Sequence, residues 1–214
     1  MMQRKGFWAC IIIVLVLVLD QVLKIWVKTH FYLGEDFKIT EWFQLVFVEN
    51  NGMAFGMQFV GKLFLTLFRI VAVSLLVWYL VVVCRRQKEP IGFVVCLALI
   101  TAGAAGNIFD SLFYGLIFNN PAPPQVAQLF PPDGGYAPLF YGKVVDMFYF
   151  PLFSFTWPSW MPVVGGSEFL FFQPVFNLAD AAISVGIIVL LIFYSHYLTF
   201  GHTEKAESNV QPKE

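Results

Sequence analysis

The residues of this chain best suited to chemistry are carboxylates set in apolar sequence. Asp20 and Lys24 stand four apart in a nearly unbroken apolar run from Gly6 to Val27. Asn107 and Asp110 close another such run as Gly106-Asn107-Ile108-Phe109-Asp110, and Asn177 and Asp180 open a third as Phe176-Asn177-Leu178-Ala179-Asp180. Asp146 lies inside Val144-Val145-Asp146-Met147-Phe148, an apolar, strand-like stretch. An ionisable group at membrane depth costs roughly 2.5–3.5 kcal/mol, so each of these needs a partner or a purpose. The i,i+4 spacing of Asp20 and Lys24 allows a structural ion pair, with a role in holding substrate or site geometry as the alternative. The Asn-x-x-Asp spacing sets an amide and a carboxylate on one helix face, and Asn177 is also a fitting N-cap. Asp110 either marks an exit to water or belongs to a site.

Two carboxylates in a partly dry site cannot both ionise easily, so the pair shares a proton near working pH. The charged member can then polarise water while the protonated one donates to a scissile carbonyl. The chain offers no competing apparatus: His-Glu-x-x-His, Gly-x-Ser-x-Gly and Walker loops are missing from the sequence. His30, His196 and His202 are isolated, and Ser184 and Ser195 have no base four residues away, leaving a Ser/Lys dyad with Lys24 or Lys143 as an unsupported option. Cys10, Cys84 and Cys96 lack the spacing of a disulfide framework or a zinc site. No metal and no cofactor is expected.

The elements that must position these groups are helices in a membrane. The chain has 214 residues, 58% hydrophobic and only 13% charged, with a mean hydropathy of +0.71, far from a soluble domain. Its net charge of −1 excludes a basic field for nucleic acid. Four apolar stretches approach spanning length, near residues 6–27, 63–84, 91–109 and 178–197. Arg4 and Lys5, then Arg85, Arg86 and Lys88, then Lys205 and Lys213 place both termini and the tight link in the cytoplasm. Segments 28–62 and 110–177 are left on the outer face. The first carries strand patterns at Phe37–Thr40 and Phe43–Val48 before the turn Asn50-Asn51-Gly52, which predicts a small sheet. The second is broken by Pro and Gly pairs and is dense in aromatics such as Tyr149, Phe150, Trp157, Trp160, Phe171 and Phe172. It is expected to form an interfacial loop or a lid. The predicted fold class is thus an all-α membrane protein of four transmembrane helices with a small β-sheet and an enlarged aromatic-rich outer loop. One domain over 1–200 is followed by a polar cytoplasmic tail, 201–214.

Five blocks, in order, resemble the lipoprotein signal peptidases (signal peptidase II) of bacteria. They are Asp20-x-x-x-Lys24, Asn50-x-Gly52-Met53-Ala54-Phe55, Gly106-Asn107-x-x-Asp110, Val144-Val145-Asp146 and Phe176-Asn177-x-Ala179-Asp180. The resemblance implies a membrane aspartyl endopeptidase without metal, which removes signal peptides from diacylglyceryl-modified prolipoproteins just before the lipidated cysteine. It implies Asp146 and Asp180 as the catalytic dyad, with Asp20, Lys24, Asn50, Gly52, Asn107, Asp110, Asn177 and Ala179 binding substrate or supporting the site. It further implies membrane lipids and globomycin-like inhibitors as partners, and a location in the bacterial inner membrane with the site near the outer face. Three positions depart from the family pattern: Ser111 follows Asp110 where Arg is usual, Glu49 stands where a basic residue is common, and Met53 replaces a frequent Ala.

Two other readings compete. A transporter would run a polar relay through Asp20, Lys24, Asp110 and Asp180, for which the inner helix halves offer only Arg69 as a further charge. A scaffold would use the aromatic outer loop to bind a partner.

Overall fold

Apolar runs without internal breakers make the long helices of this computed structural model, which describes residues 2–51, 61–86 and 89–198. Helix α1 is Met2–His30, α2 is Lys62–Arg85 and α3 is Ile91–Phe109, the last starting directly after Pro90. The helical path does not stop at Phe109 as predicted. It continues through a π-helical turn, Asp110–Tyr114, into the short α4, Gly115–Ile117, because the first strong breakers are Asn119-Asn120-Pro121. Asp110 is therefore enclosed in helix rather than placed at an exit to water.

Three helices among the described residues are long and apolar enough to cross a bilayer: Arg4–His30, Lys62–Arg85 and Ile91–Ile117. The apolar run expected to be a fourth span gives only the shorter helix α5, Leu178–Phe193. Its 16 residues rise only about 24 Å. Tyr194 leaves helical geometry at φ −131° and ψ 10°, and a 3₁₀ turn, Ser195–Leu198, follows. Apolar side chains such as Phe64, Phe68, Val71, Leu75 and Trp78 on α2 remain exposed, the surface that hydrocarbon would cover.

Strands β1 (Asp36–Thr40), β2 (Phe43–Asn50) and β3 (Val144–Tyr149) form an antiparallel sheet in the order β1-β2-β3. The β2–β3 register sets Val48 opposite Asp146 and Asn50 opposite Val144. Beyond it, β4 (Phe153–Thr156) and β5 (Glu168–Phe171) pair as a hairpin with Phe153 against Phe171 and Phe155 against Phe169. One apolar cluster, with Ala9, Leu80, Phe93 and Leu190, fills the helix ends away from the sheet. A second, with Val27, Phe47, Tyr114, Phe118, Val145 and Met147, joins helices to sheet. Arg4, Lys5, Arg85 and Arg86 sit at the end away from the sheet, whereas Lys88, His202, Lys205, Lys213 and the tail 201–214 lie outside the described residues.

Helices α3 and α5 touch backbone to backbone at Gly103, where an added Cβ would stand 2.2 Å from the Ala179 carbonyl oxygen. A side chain there must push α3 off the first turn of α5. We expect Gly103→Val to cost about 1–3 kcal/mol through overpacking. Thermal unfolding in detergent checks this, and an unchanged midpoint would show that the crossing is not tight.

Candidate active site

Helix α1 presents Asp20, Gln21, Lys24 and Lys28 from its last turns, all near the sheet end. Lys24, fully buried, carries its ammonium 2.9 Å from Asp20 and 2.8 Å from Asp110. It also donates to the Asn107 amide oxygen at 2.9 Å. The i,i+4 pair expected between Asp20 and Lys24 is therefore one edge of a larger network. Asp20 also accepts from the Ala179 backbone N–H at 2.9 Å, which ties α1 to the start of α5.

Asparagines connect that network to the two remaining acids. The Asn107 amide nitrogen donates to Asp180 at 2.7 Å, and the Asn177 amide nitrogen donates to Asp146 at 2.7 Å. Asn177 also donates to the Asn107 oxygen at 3.2 Å, so the chain Asp146, Asn177, Asn107, Asp180 is unbroken. Asn177 caps α5 as the sequence predicts: its oxygen accepts from the Asp180 N–H at 2.9 Å, and the Asp180 carboxylate accepts from the Asn177 N–H at 3.4 Å. This reciprocal cap aims Asp180 back towards Asn107. Because β3 pairs with β2, Asp146 enters from the sheet side and meets the Asn50 side chain.

Asp146 is buried. Burial, and then the negative charge of Asp180, push its carboxyl up to about 7, against the pull of hydrogen bonds from Asn177 and Asn50 and of the Lys24 charge. Asp180 is only half-buried. Of the residues singled out from sequence, Asp20, Lys24, Asn50, Asn107, Asp110, Asp146, Asn177, Ala179 and Asp180 converge here, and Gly52 lies outside the described residues.

Gln21 escaped the sequence reading, and Arg69 and Glu49, which it named, take places it did not assign. Gln21 donates to Asp110 at 2.8 Å and accepts from the Tyr114 hydroxyl at 3.1 Å. Its position beside Asp20 was the available signal, but a neutral side chain in a helix carries little warning. Arg69 belongs to the half of α2 nearer the sheet rather than to an inner half, and it feels the charges of Asp180, Asp110 and Asp146. Glu49 is clamped by Lys28 and by Lys143, the latter at 2.7 Å. Burial acts to raise the Glu49 pKa, but the two lysines outweigh it and hold the carboxyl below its ordinary range. Lys28 itself sits 5.3–5.5 Å from the rings of Phe118, Tyr136 and Phe47. Ser111 donates to the Asn107 backbone oxygen at 3.0 Å.

Residues 12–196 match the family model described as signal peptidase (SPase) II. A lipoprotein signal peptidase of Porphyromonas gingivalis is 55% identical over 190 residues, covering 89% of this chain and 84% of that protein. One of Amoebophilus asiaticus is 37% identical over 187 residues, covering 85% and 75%. A solved bacterial membrane enzyme shares the fold at TM-score 0.59 with 21% identity, covering 95% of this chain and 94% of its own. With the family model spanning both Asn-x-x-Asp blocks and the Asp146 strand, this chain belongs to the signal peptidase II family.

Proposed function

We propose that this chain is an aspartyl endopeptidase that removes signal peptides from diacylglyceryl-modified prolipoproteins, using Asp146 and Asp180 on one water. The observation that carries the reading is the two-asparagine bridge between the acids, together with an Asp146 carboxyl near 7. In this scheme the charged member of the pair takes a proton from water, whose oxygen attacks the scissile carbonyl carbon. The protonated member gives its proton to the carbonyl oxygen, and the tetrahedral intermediate forms. The member that took the water's proton then delivers it to the amide nitrogen while the other takes a proton back from a hydroxyl of the intermediate, so that the C–N bond breaks, acid and amine leave, and the pair again holds one proton. Asn107 and Asn177 orient the carboxylates, while Lys24 balances Asp20 and Asp110, which would otherwise add negative charge beside the dyad. Lys24 and Lys143, the lysines available to a Ser/Lys alternative, are both engaged with carboxylates.

On the same reading α5 and its 3₁₀ extension make a fourth span, and residues 1–200 act as one peptidase domain. The sheet end faces outward from the bacterial inner membrane, with both termini in the cytoplasm. Globomycin-like inhibitors would compete at the dyad. The transporter reading is disfavoured because Arg69 lies with the acids and supplies no step towards the other end.

The test is mass spectrometry of a defined diacylglyceryl precursor incubated with the purified protein. A cut immediately before the lipidated cysteine is expected, and an intact precursor would remove the proposal. The rate should be bell-shaped in pH, with one limb near 7 from Asp146. A rate that is flat from pH 5 to pH 9 would argue for another chemistry.

A further inference from the structure

A second feature lies between α2 and α3, lined by residues next in sequence to those of the site. Ile70, Val73 and Ser74 of α2, with Ile108, Leu112, Phe113, Leu139 and Phe140, line an open groove of about 410 Å³. That volume lies within the roughly 300–1,000 Å³ of pockets that hold small ligands. The walls are almost wholly apolar side chains. The wall residues neighbour the site in sequence: Ile108 follows Asn107, Leu112 follows Ser111, and Ile70 follows Arg69. On α3, Ile108 is set about 100° round the helix from Asn107, so the groove and the acids occupy adjoining faces.

The wall at Leu139 and Phe140 is held in place by the backbone. Phe140 has φ 75°, a conformation that a non-glycine residue keeps only when its surroundings fix it. Its carbonyl accepts from Thr66 of α2 at 3.0 Å, and its N–H donates to the Leu112 carbonyl at 3.4 Å. The next contact, Gly142 N–H to Ser111 carbonyl at 2.9 Å, presses the loop on the π-turn so closely that a Cβ on Gly142 would lie 2.0 Å from the Asp110 carbonyl oxygen. A π-helical turn widens a helix locally and is common at functional sites. Here it carries both Asp110 and the groove residues Leu112 and Phe113.

We propose that this slot takes one acyl chain of the substrate's lipid-modified cysteine, which rests on the lipoprotein-peptidase reading above. A peptide segment does not suit it, because the walls offer too few polar partners for backbone N–H and C=O groups. An acyl chain needs none. Exposed apolar residues of α2 beside it, such as Val71 and Leu75, give the chain a continuous path from hydrocarbon to the slot. Seating one chain there would hold the attached cysteine beside the acids and set the register of the cut.

The experiment uses two precursor peptides that differ only in carrying palmitoyl or octanoyl chains, with the purified full chain in nanodiscs. The wild type should prefer the palmitoyl peptide in kcat/KM. Val73→Phe and Ile70→Phe, which fill the slot, should each lower the palmitoyl-to-octanoyl ratio about tenfold, given the apolar area withdrawn. An unchanged ratio in both variants would overturn the slot. In parallel, a diazirine at the end of the palmitoyl chain should label peptides containing Ile70–Ser74 or Leu139–Phe140. Labelling of these peptides by a diazirine phospholipid, but not by the substrate chain, would equally overturn it. If the wild type cuts neither peptide, the peptidase reading fails by itself, and the photolabelling still decides the slot.

Discussion

Asp146→Asn and Asp180→Asn are each expected to lower cleavage of a lipidated precursor by at least about 10³-fold, the scale of losing a positioned acid or base. The two should not be additive, because either change alone leaves the pair unable to divide one proton between its members. Stability should move the other way for Asp146. Its folded pKa of about 7 exceeds the ordinary 3.8, so the folded state keeps a proton that the unfolded chain releases. Stability contributed by that proton is present at low pH and is lost as pH rises from about 4 to about 7. Asn at 146 has nothing to titrate. The inactive Asp146→Asn protein should therefore melt higher than wild type at pH 8 and lose that advantage near pH 4. Thermal unfolding in detergent at the two pH values, run beside the mass-spectrometric assay, measures both effects. Residual activity near the wild-type level in both variants would dismiss the dyad, and an equal melting shift at both pH values would dismiss the protonated Asp146.

Glu49→Ala is expected to destabilise the protein by about 3–5 kcal/mol, the range for removing one member of a buried ion cluster. The loss falls mainly on Lys28, which is 1% exposed, sits in a cage of three aromatic rings and cannot turn to water. Lys143 is freer, with a side chain 25% exposed. The double variant Lys28→Met, Glu49→Leu should recover more than half of the loss, since it removes both fully buried charges together. Denaturant or thermal unfolding of the two variants decides this. A single variant within about 1 kcal/mol of wild type would show that Lys28 finds another partner. The position matters because Glu49 lies beside Asn50 on β2, so the clamp holds the strand end that meets Asp146.

Much of the architecture was legible because the bilayer simplifies the code. Long apolar runs must be helices, and the proline pairs mark where regular structure cannot continue. The Asn-x-x-Asp repeat was readable for a similar reason: polar groups at these depths are too costly to be idle. Helix ends were less legible. The π-turn after Phe109 packs against the loop at Gly142, a contact formed by residues far along the chain. The early end of α5 depends on the backbone of Tyr194, at which the sequence shows no breaker.

By itself the sequence determined the apolar helices, the strand patterns of β1 and β2, and the set of buried-capable polar residues, because each follows from local hydropathy and spacing. Only the tertiary structure decided that Asn107 serves Asp180 while Asn177 serves Asp146, that Gln21 and Arg69 join the acids, and that Lys28 and Lys143 meet on Glu49. Those pairings link groups from α1, α2, α3, β2, β3 and α5. The free energy of a buried charge depends on which partners the packing of these elements brings within hydrogen-bond reach, and spacing along one element does not contain that information.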